Sequence, residues 1–184
     1  MMRTWGKLRR NETATAAAEM ALVAPLLIAL MFGAAEVGNL FMDQHALDKQ
    51  VRDGARFASR LALSNAYDCP DTVFAAADAS DQIINVTKNG AVSGDGNPRW
   101  DASYWARQCN GQPTVAVSIR CVAKSDIDTD DSGNTGIYTS LPGTDIPVVT
   151  VSAAVNYRPV LAAVGIEDTN ICLRAQSEAA VQGL

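Results

Sequence analysis

Residues 20–35, MALVAPLLIALMFGAA, form a run of sixteen positions without a charged side chain near the start of the chain. This run is slightly shorter than the ~20 residues that an α-helix needs to cross the hydrocarbon core of a bilayer. Extending it to residues 14–42 supplies enough length and places Glu19 and Glu36 towards its two ends. The sequence therefore predicts a transmembrane helix over residues 14–42.

The charges around this segment predict its orientation. The first ten residues contain four basic side chains and no acidic one. By the positive-inside rule, residues 1–13 stay cytoplasmic, and the helix continuation 43–63 and the domain 64–184 are exported to the periplasmic side. Two other interpretations remain open. The segment could be a buried core helix, or a cleavable secretory signal with Gly33-Ala34-Ala35 as its small-residue cleavage site.

The helical pattern continues beyond the apolar segment. From Val37 to Ala62, apolar residues recur mostly at steps of three and four, which is typical of one face of a helix. Asp48–Arg52 and Lys49–Asp53 are opposite-charge pairs four residues apart, which stabilise a helix. We expect residues 43–63 to continue the helix as an amphipathic part, with a total length of roughly 75 Å. This part needs a partner surface.

Two residues of the apolar segment need an explanation of their own. Pro25 lacks a backbone donor, so it predicts a kink or local loosening of the helix. Glu19 places an ionisable group at membrane depth, where such groups usually have a partner or lie at the interface.

The exported part predicts a small antiparallel sheet. Residues 114–123, 148–157 and 171–181 each alternate between apolar and polar positions, as half-buried strands do. Residues 64–113 are rich in turn signals, with a short helix expected within 71–86. The apolar segment 158–166 fits a helical turn or a hydrophobic loop that touches the membrane or a neighbour. The predicted fold class is α+β, with the long N-terminal helix packed on the sheet.

Four cysteines follow the apolar segment, and an even number in an exported domain indicates two disulfides. They are Cys69, Cys109, Cys121 and Cys172. Three pairings are possible. We prefer Cys69–Cys109, which would tie the end of the helix to the turn-rich region, with Cys121–Cys172, which would join two strands.

The sequence holds little chemistry of the kind that enzymes need. It has one histidine, His45, and no recognisable grouping of nucleophile and base, so we expect no enzyme activity and no cofactor. Asp126, Asp128 and Asp130 have the spacing of a calcium loop, but Asp131 and Ile137 replace its glycine and glutamate, which favours a solvated hairpin connection. A net charge of −5 argues against nucleic-acid binding.

Residues 12–59 resemble the TadE-like family of the Tad (Flp-type) pilus apparatus. The matching features follow one another in order: the basic start, Glu19-Met20-Ala21-Leu22, Val23-Ala24-Pro25, Gly33 with Glu36 and Gly38, and Arg52-Asp53-Gly54-Ala55-Arg56-Phe57-Ala58. The resemblance implies a pilin-like minor pilin or pseudopilin. Such a protein is inserted in the bacterial inner membrane with a periplasmic C-terminal domain, and it assists pilus initiation or assembly. The alternative is a permanently anchored envelope scaffold of the same machinery.

The resemblance also implies roles for individual residues and partners. If Glu19 is the fifth residue of a mature chain, a prepilin peptidase would cut before Thr15, after Ala14, where the prepilin pattern has glycine. The Glu19 carboxylate could then pair with the N-terminal ammonium of a neighbouring subunit. Ala34 and Gly38 form a small-xxx-small pair around Glu36, a feature of close helix packing. The implied partners are other pilins or pseudopilins and Tad assembly proteins.

Overall fold

The computed structural model of the protein describes residues 12–62, 66–69, 71–76, 78–96, 100, 102–127, 136–139, 143–165 and 171–182. These residues divide into two compact units. One comprises the described chain up to Phe41 together with residues 159–165, and the other comprises the rest. Residues 1–11 of the predicted cytoplasmic N-terminus lie outside the described residues.

The N-terminal part of the chain is one long helix, α1, which runs from Glu12 to Ala58 and contains Pro25. It ends before the predicted end near residue 63. Its last turn tightens, because the amides of Arg60 and Leu61 bond to carbonyls only three residues back. The buried hydroxyl of Tyr67 donates a 2.6 Å hydrogen bond to the carbonyl of Ala58. The same carbonyl accepts a hydrogen bond from the amide of Leu61, so two donors outside the α-helix satisfy it at the helix C-terminus.

The second half of α1 is amphipathic, as predicted. Its buried side chains recur at steps of three and four residues, and the apolar ones are at most 1% exposed: Leu47, Val51, Ala55 and Ala58. The charged residues Arg52 and Arg56, by contrast, are exposed. At 3.6 residues per turn, this spacing aligns the buried positions in one stripe that belongs to the core of the second unit.

The three predicted strands form one antiparallel sheet. They are β3 (Val115–Ala123), β4 (Asp145–Asn156) and β5 (Cys172–Ala180), in the order β3-β4-β5. β4 is central, and its alternate positions from Val149 to Tyr157 are buried, as the sequence pattern predicts. The chain is therefore α+β, with a long N-terminal helix followed by small antiparallel sheets.

The turn-rich region contains two short strands and two helices. β1 (Tyr67–Asp68) pairs with β2 (Val73–Phe74), and the helices are α2 (Ala79–Asn89) and α3 (Ala102–Trp105). The helix expected within residues 71–86 thus begins only at Ala79. Residues 73–74 are held in the hairpin instead, where the rings of Tyr67 and Phe74 lie 5.9 Å apart. Within the described residues, 3₁₀ turns cover Lys124–Asp126, Gly136–Tyr138 and Val160–Val164.

An aromatic cluster contacts α1 near the start of its buried stripe. The Tyr104 hydroxyl donates a 3.2 Å hydrogen bond to the buried carboxylate of Asp43. Burial, reinforced by the Asp43 carboxylate, raises the pKa of Tyr104 above its usual value, so the phenol stays protonated and donates. Trp100 stacks on Tyr104 at 4.4 Å, and Trp105 meets Trp100 edge-on.

The disulfides join Cys69 to Cys121 and Cys109 to Cys172, with Cα–Cα distances of 5.9 and 5.8 Å. The preferred pairing of Cys69 with Cys109 and Cys121 with Cys172 is therefore wrong. All four cysteines form disulfides, as an even count predicts, but each is bonded to a different cysteine from the predicted one.

The register of the sheet explains the correction. Cys121 lies opposite Pro147 of β4, whereas Cys172 lies opposite Asn156 at the other end of the same strand. Nine strand residues span about 30 Å, and a disulfide requires Cα atoms within about 7 Å. Cys109 follows Gln108, which bridges Val155, so it lies at the end of the sheet where Cys172 begins β5.

Peptide mapping of the unreduced protein tests this pairing. We expect a Cys69→Ser/Cys121→Ser variant to retain the Cys109–Cys172 bond, and a Cys109→Ser/Cys172→Ser variant to retain the other. Loss of either bond is expected to destabilise the second unit by about 2–5 kcal/mol, the usual range for native disulfides. A crosslinked peptide that joins Cys69 to Cys109 in the wild-type protein would contradict the structure.

At Gly54, helix α1 approaches Thr87 of α2 closely. A Cβ atom at this position would overlap the side-chain hydroxyl of Thr87. Thr87 is fully buried and donates a 2.8 Å hydrogen bond to the carbonyl of Ile83. The hydroxyl is thus held in place by its own helix, and glycine on α1 allows the two helices to approach.

A Gly54→Ala substitution is expected to destabilise the protein. Alanine in an exposed helix gains up to about 1 kcal/mol over glycine, but overpacking of a core costs about 1–3 kcal/mol, so the clash dominates. Thermal unfolding measures the effect. Gly38→Ala is the matched control on the same helix, because its Cβ would meet nothing within 4 Å. A Gly54→Ala/Thr87→Ala variant should recover stability relative to Gly54→Ala alone; equal stability of Gly54→Ala and wild type would refute the packing argument.

Candidate membrane-spanning and assembly segment

The first half of α1 exposes nearly all of its large apolar side chains. Twelve such side chains between residues 20 and 42 are each at least 45% exposed: Met20, Leu22, Val23, Leu26, Leu27, Ile28, Leu30, Met31, Phe32, Val37, Phe41 and Met42. The helix is long and apolar enough to cross a membrane, and no residue of its most apolar window is buried within the chain. A soluble protein rarely exposes a contiguous apolar surface of this size. The first half of α1 therefore has the composition and exposure of a membrane-spanning segment.

Glu19 lies at the N-terminal end of this surface. Its side chain is exposed, and it is on the same helix face as Thr15, one turn earlier. Thr15 is helical, whereas the side chain of Ala14 lies outside the described residues. A carboxylate in this position is accessible to a neighbouring molecule. The predicted subunit-docking role of Glu19 and the predicted cleavage between residues 14 and 15 remain predictions.

Glu36 lies near the C-terminal end of the apolar run and holds a distant part of the chain. Its Oε1 accepts a 3.2 Å hydrogen bond from the amide of Val160, and its Oε2 accepts a 3.1 Å bond from the amide of Leu161. These amides begin the 3₁₀ turn Val160–Val164. The carboxylate therefore satisfies two donors that a helix start leaves without an internal partner.

The sequence predicts a helix-packing role for Glu36 and gives no sign of this contact. The two partners are separated by 124 and 125 residues, and no local pattern links them. Each element carries a signal of its own, namely a carboxylate at the edge of an apolar run and a proline before a short apolar segment. Their pairing depends on tertiary structure.

The remaining residues of the small-xxx-small pattern are exposed. Ala34 and Gly38 both lie at the surface, and a Cβ on Gly38 or Gly33 would meet nothing within 4 Å. The described part of the chain thus leaves this face of the helix accessible to another helix. Close helix packing there, like the predicted kink at Pro25, stays a prediction.

The predicted calcium loop lies mostly outside the described residues. Asp128 and Asp130 belong to the undescribed part. Asp126 is exposed at the end of a 3₁₀ turn, where its carboxylate accepts a 3.4 Å hydrogen bond from Ser125. Among the described residues, no group of three potential metal ligands comes together. The calcium hypothesis is therefore untested.

The second unit has an open depression of about 480 Å³ on its sheet. Among its described lining residues are Ser152, Arg174, Gln176 and Gln112, with no carboxylate or imidazole. The Ser152 hydroxyl donates to the carbonyl of Ala116 at 3.4 Å, so it is used within the sheet. Nearby, Glu178 pairs with Arg120 at 3.6 Å and accepts a hydrogen bond from Thr150. Exposed pairs of this kind stabilise a protein by at most about 1 kcal/mol.

A comparison with protein families gives a match near the start of the chain. The model of the TadE-like protein family matches residues 14–56, which confirms the resemblance seen in the sequence. The matched region covers both the exposed apolar half of α1 and most of its buried stripe. No curated protein and no solved structure gives a significant match.

A Glu36→Ala substitution is expected to free the amides of Val160 and Leu161. Because each loses its acceptor, we expect their hydrogen exchange to speed up at least about tenfold, since a hydrogen bond to a charged group contributes about 1.5–3 kcal/mol. Hydrogen-exchange mass spectrometry measures this in detergent-solubilised protein. Glu19→Ala is the matched control and should leave these amides unchanged. Equal exchange in all three proteins would show that Glu36 does not hold the turn.

Proposed function

We propose that the protein is a non-enzymatic minor pilin or pseudopilin-like component of a Tad pilus system, anchored in the inner membrane by residues 14–42. The proposal rests on one observation: the segment that matches the family is a single helix whose two halves differ in exposure. Residues 14–56 match the family, and within them the apolar half is exposed while the following half contributes a buried stripe. An assembly subunit needs both a helix that can move between lipid and neighbouring helices and a separately folded exported unit.

Membrane insertion of the first half is favourable on energetic grounds. Between Met20 and Ala35, the exposed Leu, Ile, Val and Phe side chains number seven. Each contributes about 0.3–0.6 kcal/mol to insertion, whereas an acidic side chain at the bilayer centre costs about 2.5–3.5 kcal/mol. Glu19 lies at the end of the run, where its cost is lower. The apolar side chains therefore offset the carboxylate, and the basic N-terminal residues favour a cytoplasmic N-terminus.

Glu19 is the residue to which we assign subunit docking. If a prepilin peptidase cuts before Thr15, the new ammonium group lies one helical turn from Glu19 in the same chain and becomes a partner for Glu19 of the next subunit. Leaving either charge unpaired in lipid is costly, so pairing across subunits favours one register of assembly. The exposure of Glu19 leaves it accessible for this contact.

A second candidate function is a permanently anchored scaffold of the same machinery. The observation in its favour is Ala14, which stands where the prepilin pattern has glycine. A chain that is not cut keeps its basic N-terminus in the cytoplasm and cannot present a new ammonium group beside Glu19. Both candidates share the membrane span, and both predict partners among pilins and Tad assembly proteins.

No enzymatic role and no cofactor are part of the proposal. The sequence contains one histidine, His45, and no recognisable grouping of a nucleophile with a base. The net charge of −5 opposes binding to nucleic-acid phosphates. The exported unit is instead proposed to contribute surface for contacts with other assembly proteins.

The intact mass and N-terminal sequence of the protein from native membranes distinguish the two candidates. A start at Thr15 together with cofractionation with sheared pili would support the minor pilin. A start at Met1 or Met2, with the protein retained in the membrane fraction, would support the scaffold.

A Glu19→Gln variant is expected to reduce piliation strongly, since the amide keeps the size of the side chain but removes its charge. The measurement is the number of surface pili, with protein abundance in the membrane checked in parallel. Asp53→Asn is the matched control because it removes an exposed carboxylate from the same helix, outside the apolar run. Equal piliation of Glu19→Gln and wild type would remove the docking role.

A further inference from the structure

We propose that the 3₁₀ turn held by Glu36 is a second membrane contact, which inserts into the boundary between lipid headgroups and acyl chains. Residues 159–165, PVLAAVG, contain no charged or polar side chain. They belong to the same compact unit as the apolar half of α1. The proposal rests on the membrane insertion of residues 14–42 and adds to it a lipid-binding surface from the other end of the chain.

The position of Glu36 along the helix sets the depth of the turn. The apolar run from Met20 to Ala35 is centred near Ile28, and Glu36 is eight residues further on, or about 12 Å at ~1.5 Å per residue. Half of the hydrocarbon core measures about 15 Å. Glu36 therefore reaches the edge of the core on the exported side, and the amides that it binds lie at the same level.

Hydrogen bonding makes the turn compatible with this depth. Unsatisfied backbone groups cost several kcal/mol each in lipid. The first two amides of the turn are bonded to Glu36, and the amides of Ala162 and Gly165 bond to carbonyls within the segment. The Glu36 carboxylate gains two donors in return, which lowers the cost of a charge at the membrane edge.

Among the described side chains of the turn, that of Val160 exposes an apolar surface. Val160 is 55% exposed, similar to Val37 and Phe41 on the following turns of α1. Pro159 is buried and fixes the entry to the turn, so Val160 is presented outward on a short, constrained segment. A bilayer around the helix is the environment continuous with this surface, which is why we assign lipid rather than a second protein as its partner.

Fluorescence quenching in vesicles tests the proposal. The full chain carries Val160→Cys labelled with an environment-sensitive fluorophore, in unreduced protein whose native cysteines are paired. It is reconstituted at high dilution in vesicles of phosphatidylethanolamine and phosphatidylglycerol. Groups about 5–10 Å below the interface are shielded from water. We therefore expect severalfold weaker quenching by aqueous iodide than at Val92→Cys, a valine of comparable exposure in the other unit. A quencher near the top of the acyl chain should act on the Val160 label.

Labels at two further positions distinguish a lipid contact of the turn from its alternatives. Leu27→Cys reports insertion of the helix itself, and Ala162→Cys repeats the test at a second position of the turn. If Leu27 is shielded while residues 160 and 162 are as open to iodide as Val92, the lipid contact is wrong and the membrane span stands. If shielding at 160 and 162 disappears as protein is diluted in lipid, a second copy covers the turn, which also overturns the proposal. If Leu27 is itself open to iodide, the proposed anchoring fails, and this inference fails with it.

Discussion

The two halves of helix α1 differ in the exposure of their apolar side chains, and the rest of the structure depends on this difference. Its second half buries Leu47, Val51 and Ala55 in the core of the second unit, where the burial of apolar surface is the dominant favourable term in folding. Its first half presents Leu22, Leu26 and other large side chains outward, with nothing in the described chain to cover them. The second half of the helix is therefore a core element, whereas the first half has the exposure and composition of a membrane-spanning segment.

Two carboxylates with specific hydrogen-bond donors lie where α1 changes from an exposed to a buried helix. Glu36 pairs with two amides of the Val160–Val164 turn, and Asp43, two helical turns later, accepts a hydrogen bond from Tyr104. Each carboxylate lies at an end of one of the two environments and each has a specific donor. A charge left without such partners would be costly at the membrane edge or in the core, by several kcal/mol in either case. These contacts help to explain how an acidic side chain is tolerated on each side of the transition.

The second unit combines close packing with disulfide crosslinks. β4 lies between β3 and β5, so a single strand connects both edges of the sheet through backbone hydrogen bonds. The two disulfides then fasten opposite ends of the sheet: Cys121 joins the hairpin region at one end, and Cys172 joins the segment that precedes β3 at the other. Gly54 permits α2 to lie against α1 closely enough for the buried Thr87 to fill the space that a side chain would need. Such crosslinks stabilise the second unit because they reduce the conformational freedom of its unfolded chain.

Much of this protein was determined by sequence alone, because the decisive patterns are local. The uncharged run at residues 20–35, the stripe from Leu47 to Ala58 and the alternation in the three strands each reflect one period of one element, and the structure has each of them. The order of motifs around Glu19 and Gly54 was sufficient to indicate the TadE-like family. What the sequence could not determine were the pairings between distant residues. The disulfide partners follow from which residues lie opposite Pro147 and Asn156 on β4, and the cap on Val160 follows from a carboxylate 124 residues earlier. Such contacts carry no periodic signal, since they depend on the register of the sheet and on the folded path of the chain, and only tertiary structure decides these.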